Sequence, residues 1–249
     1  MNAILYAAGR AHRLGKLGEE RPKILIEIGG KSLMERHVEI LAQCRVPKLY
    51  VVTGYMRERF QPVFRDLQSR HGVEIVELFN ADFTEGSALS MHASLPVLEQ
   101  VEKDILLMDG DVLYDARMLE RLVHSPHRTA LLVDRGFATT DDDPVLVPMR
   151  DGKPFDFVKK WSGTADNVGE SIGFFKVSAA DLPLVISETK ARSVGPGRSD
   201  SYDAILQALV KAGRFGAEDV TGLPWTEIDF PEDLEYASRV VLPALKQAG

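Results

Sequence analysis

Residues 3–14 read AILYAAGRAHRL, and this stretch decides the fold prediction. The short apolar run 3–8 stops at Gly9, which is typical of a buried strand that ends in a turn. Small residues and glycine let the backbone come close to a ligand, and the exposed N–H groups can then face phosphate oxygens. We therefore predict a ligand-binding loop directly after the first strand.

Basic side chains follow this strand, although the whole chain of 249 residues carries a formal net charge of −7. They lie between residues 9 and 23, against Glu19 and Glu20 only: Arg10, Arg13, Lys16, Arg21 and Lys23. A basic cluster in an acidic chain indicates either a small anionic ligand or a solvated loop. The acidic balance argues against nucleic acid and anionic membranes as partners. The loop is neither a P-loop nor a G-x-G-x-x-G fingerprint, which argues against an ATPase and an NAD enzyme.

The rest of the chain alternates between strand-like and helix-like patterns. Strands are predicted at 24–28, 49–53, 73–78, 104–108, 130–133, 145–149, 154–158, 172–177, 215–220 and 225–228, with helices at 33–41, 57–70, 87–98, 178–189 and 200–212 and from 231 onward. Such alternation favours an α/β fold with a mixed, mostly parallel sheet flanked by helices. No composition break marks a boundary, so we predict one domain over 1–249.

Bulk features restrict the class of protein further. The single cysteine, Cys44, excludes an intrachain disulfide. We find no run near the ~20 apolar residues that a membrane span needs. No signal-peptide pattern opens the sequence, so a cytoplasmic location is expected.

Beyond these patterns, the chain resembles the sugar-nucleotidyltransferase superfamily. The motifs that carry the resemblance run in the family's order: Ala7-Ala8-Gly9, Arg13-Leu14, Pro22-Lys23, Gly54-Tyr55, Asn80, Glu85-Gly86-Ser87, Gly110-Asp111, Lys160 and Glu227-Ile228-Asp229. They cover nearly the whole chain, and the joint pattern is more specific than any single piece. The chain is most similar to the short cytidylyltransferases that act on phosphocholine, inositol-1-phosphate or aminoethylphosphonate. One departure is Ala11, where many members have a second glycine.

This resemblance implies a Rossmann-like (GT-A-like) fold and a Mg²⁺-dependent enzyme. It would transfer CMP from CTP, or a nucleotide from another NTP, to a small phosphorylated or phosphonate alcohol and release pyrophosphate. By resemblance, the catalytic residues are Lys23, Arg13 and Lys160, and the metal ligands are Asp111 and Asp229. The implied nucleotide-binding residues are Ala7, Ala8, Gly9, Arg10, Asn80, Gly86, Ser87 and Asp109. The implied acceptor-binding residues are Arg135, Glu170 and Tyr202.

Elementary chemistry is consistent with these roles. An acceptor phosphate has a second pKa of about 6, so it is already nucleophilic at pH 7 and needs no general base. Positioning and charge neutralisation are then the main tasks of the protein. One or two carboxylates suffice for Mg²⁺, which keeps several waters.

Structural interpretations of the same residues stay open. Lys23 can be a solvated lysine, Ser87 a helix N-cap, Arg135 a surface ion-pair partner and Tyr202 a core residue. Asp229 can cap the last helix. The scattered histidines show no ligand spacing, and we assign them no function.

Three other functions compete with this prediction. A sugar-1-phosphate nucleotidyltransferase that uses UTP, GTP or dTTP shares the chemistry. In a GT-A glycosyltransferase, Asp109-Gly110-Asp111 would be the D-x-D motif. A non-catalytic nucleotide-binding protein is the third. The acceptor and the oligomeric state do not follow from the sequence.

Overall fold

The computed structural model describes residues 1–136 and 144–247. The chain divides into two compact units. The first consists of Met1–Thr84, Met108–Glu120 and the chain from Leu223 onward, and the second of Glu85–Leu107 and Arg121–Gly222. The prediction of one domain over 1–249 stays a prediction.

Three parallel strands form the sheet at the centre of the first unit. They are β1 (Asn2–Ala7), β4 (Lys48–Thr53) and β5 (Glu74–Phe79), with β4 between the other two. Register pairs such as Leu5 with Val51 are fully buried. The apolar run after Met1 therefore forms the buried strand that its composition predicts.

The first unit also contains α1 (Lys16–Glu20), α2 (Leu33–Gln43) and α3 (Phe60–His71), the last preceded by a 3₁₀ turn at Arg57–Arg59. Helices are predicted where α2 and α3 lie, and most apolar residues of both are buried, whereas no helix is predicted where α1 lies. Ser32 caps α2, because its hydroxyl accepts a hydrogen bond of 3.1 Å from the amide of Glu35. The predicted start of this helix is thus confirmed.

The predicted strand at 24–28 is largely wrong. The chain forms a 3₁₀ turn over Lys23–Leu25, and only β2 (Glu27–Ile28) is extended. This short strand pairs antiparallel with β3 (Lys31–Ser32) across Gly29 and Gly30. Ile24, Ile26 and Ile28 are all buried, and a short apolar run of this kind does not by itself distinguish a strand from an irregular buried segment.

An antiparallel ribbon completes the first unit. It pairs β7 (Val112–Tyr114) with β13 (Trp225–Glu227). The chain then enters α9 (Pro231–Tyr236), a π-helical turn (Ala237–Val241) and α10 (Leu242–Gln247). The predicted start of the last helix at Pro231 is confirmed.

The second unit contains mixed parallel and antiparallel strands together with helices. Its strands are β8 (Thr129–Asp134), β9 (Leu146–Arg150), β10 (Lys153–Pro154), β11 (Asn167–Val177) and β12 (Phe215–Asp219). β11 pairs antiparallel with β8 and β9, whereas β12 pairs parallel with β8. Its helices are α4 (Ala88–Ala93), α5 (Leu95–Leu98), α7 (Leu182–Arg192) and α8 (Asp203–Lys211). Two further elements, β6 (Ile105–Asp109) and α6 (Ala116–Val123), run from one unit into the other.

The predicted strand at 154–158 is confirmed only at its ends. Lys153 and Pro154 pair with β9, and Val158 forms an isolated bridge to Leu146. The residues between them follow an irregular path in which the amide of Phe157 bonds to the side chain of Asp156.

The α/β class, with a mixed, mostly parallel sheet flanked by helices, is confirmed. Among the described helices, we find none with the length and apolar composition that crossing a bilayer requires.

Candidate active site

The pairing of β7 with β13 brings together two aspartates that are far apart in the sequence. Val112 lies opposite Glu227 in the ribbon, and the amide of Ile228 donates a hydrogen bond of 3.0 Å to the carbonyl oxygen of Asp111. Asp111 therefore precedes β7 at the same end of the ribbon where Asp229 follows β13. The two predicted metal ligands are neighbours.

Lys23 joins the carboxylates of these two aspartates. Its Nζ lies 2.8 Å from Oδ2 of Asp111 and also donates to Oδ1 of Asp229. Only 17% of the Lys23 side chain is exposed. Burial alone would lower the pKa of this ammonium, but the two carboxylates outweigh burial and raise the pKa above its ordinary value. The group therefore stays charged at neutral pH, and Lys23 is not the solvated lysine of the structural interpretation.

Arg13 is the second cation at this point. Its Nη1 lies 3.1 Å from Oδ2 of Asp229, and its guanidinium stacks over the ring of Phe230 at 5.5 Å. Arg10 stacks instead over Tyr55, with 5.6 Å between guanidinium carbon and ring centroid. Both arginines are exposed, so their charge remains accessible to an anion.

A cavity of about 250 Å³ within the first unit collects these groups. Of the predicted site residues, it is lined by Ala7, Gly9, Arg10, Arg13, Lys23, Asp111 and Asp229. His12 and Gly110 also line it. The loop after the first strand therefore surrounds a concave site with both cations and carboxylates, as a small anionic ligand with a metal would require.

Ala11, which stands where many family members have a second glycine, lies in this loop. Ala11 has a φ of 52°, in the left-handed region where glycine is favoured. The chain thus keeps the glycine-type conformation with an alanine. Gly18 makes room for it, because a Cβ at Gly18 would lie 2.0 Å from the carbonyl oxygen of Ala11.

Three other predicted nucleotide-binding residues of the first unit are not among those that line the cavity. The carbonyl of Ala8 accepts a hydrogen bond of 3.1 Å from the amide of Tyr55. The side chain of Asn80 is buried and accepts a hydrogen bond of 3.0 Å from the amide of Asp82. Asp109 ends β6, two residues before Asp111.

Glu227 belongs to the motif Glu227-Ile228-Asp229 but received no role of its own from the sequence. Burial raises the pKa of its carboxyl well above the ordinary value, and the charges of Asp111, Asp229 and Asp109 raise it further. The strand pattern offered a signal, because residues two apart point to the same face. Glu227 and Asp229 flank the fully buried Ile228.

Gly86 and Ser87 lie in the second unit, where they pack against the segment before α8. The amide of Gly86 donates to the carbonyl of Arg198 at 2.9 Å, and the guanidinium of Arg198 contacts both carboxylate oxygens of Glu85. The hydroxyl of Ser87 accepts a hydrogen bond of 3.0 Å from the amide of Tyr202. Ser87 precedes α4 without capping it through its side chain.

The predicted acceptor residues also lie in the second unit. The guanidinium of Arg135 pairs with Asp219 at 3.1 Å, as the structural interpretation anticipates. Glu170 is buried and lies opposite Asp134 in the pairing of β11 with β8. Tyr202 is buried, with its ring edge-on to Phe175, and Lys160 is exposed. Their acceptor roles stay predictions.

The donor set of the first unit fits a divalent ion. Asp111 and Asp229 both reach one cation, the ammonium of Lys23, so both can reach a single metal ion. Carboxylate oxygens beside a cavity that admits phosphates and waters are the ligands Mg²⁺ prefers.

Comparison with known proteins identifies the class. The model of the MobA-like NTP transferase domain family matches residues 3–164. The chain belongs to this family and is a nucleotidyltransferase. The resemblance to the superfamily is confirmed.

The relatives include a cytidylyltransferase that matches almost the whole chain. The chain is 25% identical to the CTP:phosphoglutamine cytidylyltransferase of Campylobacter jejuni, over 94% of this chain and 98% of the relative. It is also 25% identical to the bifunctional IPC transferase and DIPP synthase of Thermococcus kodakarensis, over 99% of this chain. The chain spans only 52% of the length of that archaeal relative.

A solved structure shares the fold. The inositol-1-phosphate CTP transferase from T. maritima superimposes with a TM-score of 0.79 at 22% identity, over 99% of this chain and 96% of that one.

Proposed function

We propose that this protein transfers CMP from CTP to a small phosphorylated or phosphonate alcohol and releases pyrophosphate. One observation carries the proposal. Two carboxylates, Asp111 and Asp229, share the cation of Lys23 beside a cavity lined by Arg10 and Arg13. Such a site supplies charge for a polyphosphate and ligands for a divalent ion, which is what phosphoryl-group chemistry needs.

The residues of the loop bind and orient the triphosphate. Gly9 leaves its backbone open, since nothing lies within 4 Å of the position a Cβ would take. Phosphate oxygens can therefore approach the backbone closely, while Arg10 and Arg13 supply positive charge. Lys23 lies deeper, and its raised pKa keeps its charge available to neutralise the transferring phosphoryl group.

Asp111 and Asp229 would hold Mg²⁺. When bound, the ion would neutralise polyphosphate charge and polarise the phosphoryl group. The acceptor phosphate supplies the nucleophile, so the side chains around the cavity need not remove a proton. Because no general base is needed, the site requires mainly charged side chains that position the substrates and neutralise their charge.

CTP as the donor is supported by two relatives whose names specify CTP, the phosphoglutamine enzyme that matches 94% of this chain and the inositol-1-phosphate enzyme that shares its fold. The relatives act on different phosphorylated acceptors, so the acceptor is proposed only as a class. Lys160 and Arg135 are proposed to bind its phosphate, and Glu170 and Tyr202 its head group.

A matrix of substrates tests the proposal. CTP, UTP, GTP and dTTP are each combined with phosphocholine, inositol-1-phosphate, aminoethylphosphonate, phosphoglutamine and glucose-1-phosphate, with pyrophosphate release as the readout. We expect selective use of CTP with a phospho-alcohol or phosphonate, and loss of activity with EDTA. Activity with UTP and glucose-1-phosphate but none with CTP would establish the sugar-1-phosphate alternative. Turnover of a nucleotide sugar without pyrophosphate would establish the glycosyltransferase.

Variants then connect the activity with the site. Asp111→Asn keeps the size of the side chain but removes its charge, and we expect kcat/KM to fall by at least about 100-fold. Asp66→Asn is the matched control, because this exposed aspartate of α3 pairs with Arg70 and does not line the cavity. Equal activities of the two variants would remove Asp111 from the mechanism.

A further inference from the structure

His37 is a buried polar side chain to which the proposed reaction gives no role. It lies on the inner face of α2, and none of its surface is exposed. Its ring lies 5.4 Å from that of Tyr114, and its Nε2 lies 3.3 Å from the carbonyl oxygen of Gly110. A carbonyl oxygen can only accept, so Nε2 carries the proton and donates to Gly110.

The backbone amide of Gly110 also makes a hydrogen bond. This amide donates a hydrogen bond of 3.1 Å to the carbonyl oxygen of Tyr6 in β1. A Cβ at this position would lie 2.7 Å from that same oxygen, so a larger residue would not fit without movement. Both polar groups of the Gly110 backbone are therefore engaged, one by the sheet and one by His37.

The carbonyl that His37 holds belongs to the peptide group that joins Gly110 to Asp111. Because a peptide group is planar, fixing its carbonyl also fixes the amide of Asp111. The next carbonyl, that of Asp111, is fixed by Ile228. The backbone on both sides of the Asp111 side chain is thus tied down, and His37 provides one of the two restraints.

We infer that His37 is a positioning residue for Asp111, which orients the carboxylate toward the bound cation through the carbonyl of Gly110. The inference rests on the proposed function, in which Asp111 is a metal ligand. Groups that orient metal ligands in this way typically change metal affinity or activity by about 10- to 100-fold when removed. His37 does not touch the reacting atoms, so it is not a catalytic residue.

The test measures binding of Mn²⁺ alone by electron paramagnetic resonance, and pyrophosphate release separately. His37→Leu removes the donor and keeps the bulk, and we expect the Kd for Mn²⁺ to rise about 10-fold. His37→Gln can donate from a similar distance and should recover most of the affinity. Leu41→Ala, on the same buried face of α2, controls for lost stability and should leave the Kd unchanged.

The possible results separate the inference from the function. Wild-type Mn²⁺ affinity in His37→Leu would overturn the positioning role while the proposed function stands. Equal weakening in His37→Leu, His37→Gln and Leu41→Ala would also overturn it, because helix packing would then explain the effect. If the wild type binds no Mn²⁺ and releases no pyrophosphate, the proposed function itself fails. Should His37→Leu not fold, His37→Asn replaces it, since its shorter amide does not reach Gly110.

Discussion

Val112 and Glu227 lie opposite each other in an antiparallel ribbon, and this pairing builds the candidate site. Asp111 directly precedes Val112, Asp229 follows Glu227 by two residues, and the two carboxylates meet at the ammonium of Lys23. The positions of the two carboxylates therefore depend on backbone hydrogen bonds of a short ribbon rather than on long side chains.

Replacing Lys23 by methionine should expose the repulsion between the two carboxylates. Because the partly buried carboxylates would lose their shared cation, we expect a loss of about 2–3 kcal/mol in the free energy of unfolding. Added Mg²⁺ should restore more stability to Lys23→Met than it adds to the wild type, where it competes with the ammonium. Thermal unfolding with and without Mg²⁺ measures both, with Lys16→Met as the control. An equal Mg²⁺-induced shift in both proteins would contradict this account.

Gly9→Ala should separate ligand approach from folding. Nothing lies within 4 Å of the added Cβ, so the melting temperature should stay within about 1 °C of the wild type. The methyl group would obstruct phosphate approach, and the KM for the NTP should rise at least about 10-fold.

Gly18→Ala is the contrasting variant, since its Cβ would lie 2.0 Å from the carbonyl oxygen of Ala11. It should cost about 1–3 kcal/mol of stability. A Gly9→Ala protein with normal KM would show that the nucleotide does not approach this part of the loop.

The pKa of His37 predicts a pH dependence of stability. Burial lowers this pKa from 6.5 to about 4, although the bond to Gly110 and the charge of Asp111 oppose the shift. The unfolded chain therefore binds a proton more readily, and stability is lost as the pH falls below about 6.5. At pH 5 this effect lowers the free energy of unfolding by about 2 kcal/mol.

Denaturant unfolding of the wild type and of His37→Gln at pH 7 and pH 5 measures the stability that is lost because of His37. The variant lacks the titrating ring and should lose less stability than the wild type on acidification. Parallel losses in the two proteins would assign the acid sensitivity to other groups.

Ser87→Ala tests the predicted nucleotide-binding role of the loop before α4. Its hydroxyl accepts from the amide of Tyr202, so its loss should cost about 1 kcal/mol of stability in any case. If Ser87 also binds the nucleotide, the KM for CTP should rise about 10-fold with little change in kcat. Ser199→Ala is the control, because the hydroxyl of Ser199 donates to the carbonyl of Pro196. An unchanged KM would leave Ser87 with a structural role alone.

Local patterns predicted the strands and helices that carry the site, because burial imposes a period on their residues. The run after Met1 formed β1, Ser32 capped α2, and Pro231 began α9. The strand predicted at 24–28 was largely wrong, since the 3₁₀ turn at Lys23–Leu25 depends on contacts that a short apolar run does not encode.

The contacts between distant segments were harder to predict. Asp111 and Asp229 were paired through family resemblance, and no local pattern shows that β7 binds β13. Glu227 was named within a family motif, but only the structure brings its carboxyl under the charges of Asp111, Asp229 and Asp109. The conformation of Ala11 likewise contradicts its own preference and follows from the loop around it.

The first unit is assembled from three separated stretches of chain, and the third begins at Leu223. During synthesis, the ribosome therefore delivers Lys23 and Asp111 long before Asp229, with the second unit made in between. A polypeptide that stops within Arg121–Gly222 of the second unit lacks both β13 and Asp229, so Asp111 is the only one of the two carboxylates that it contains. The candidate site can therefore be completed only late in translation, when β13 has been made and can pair with β7.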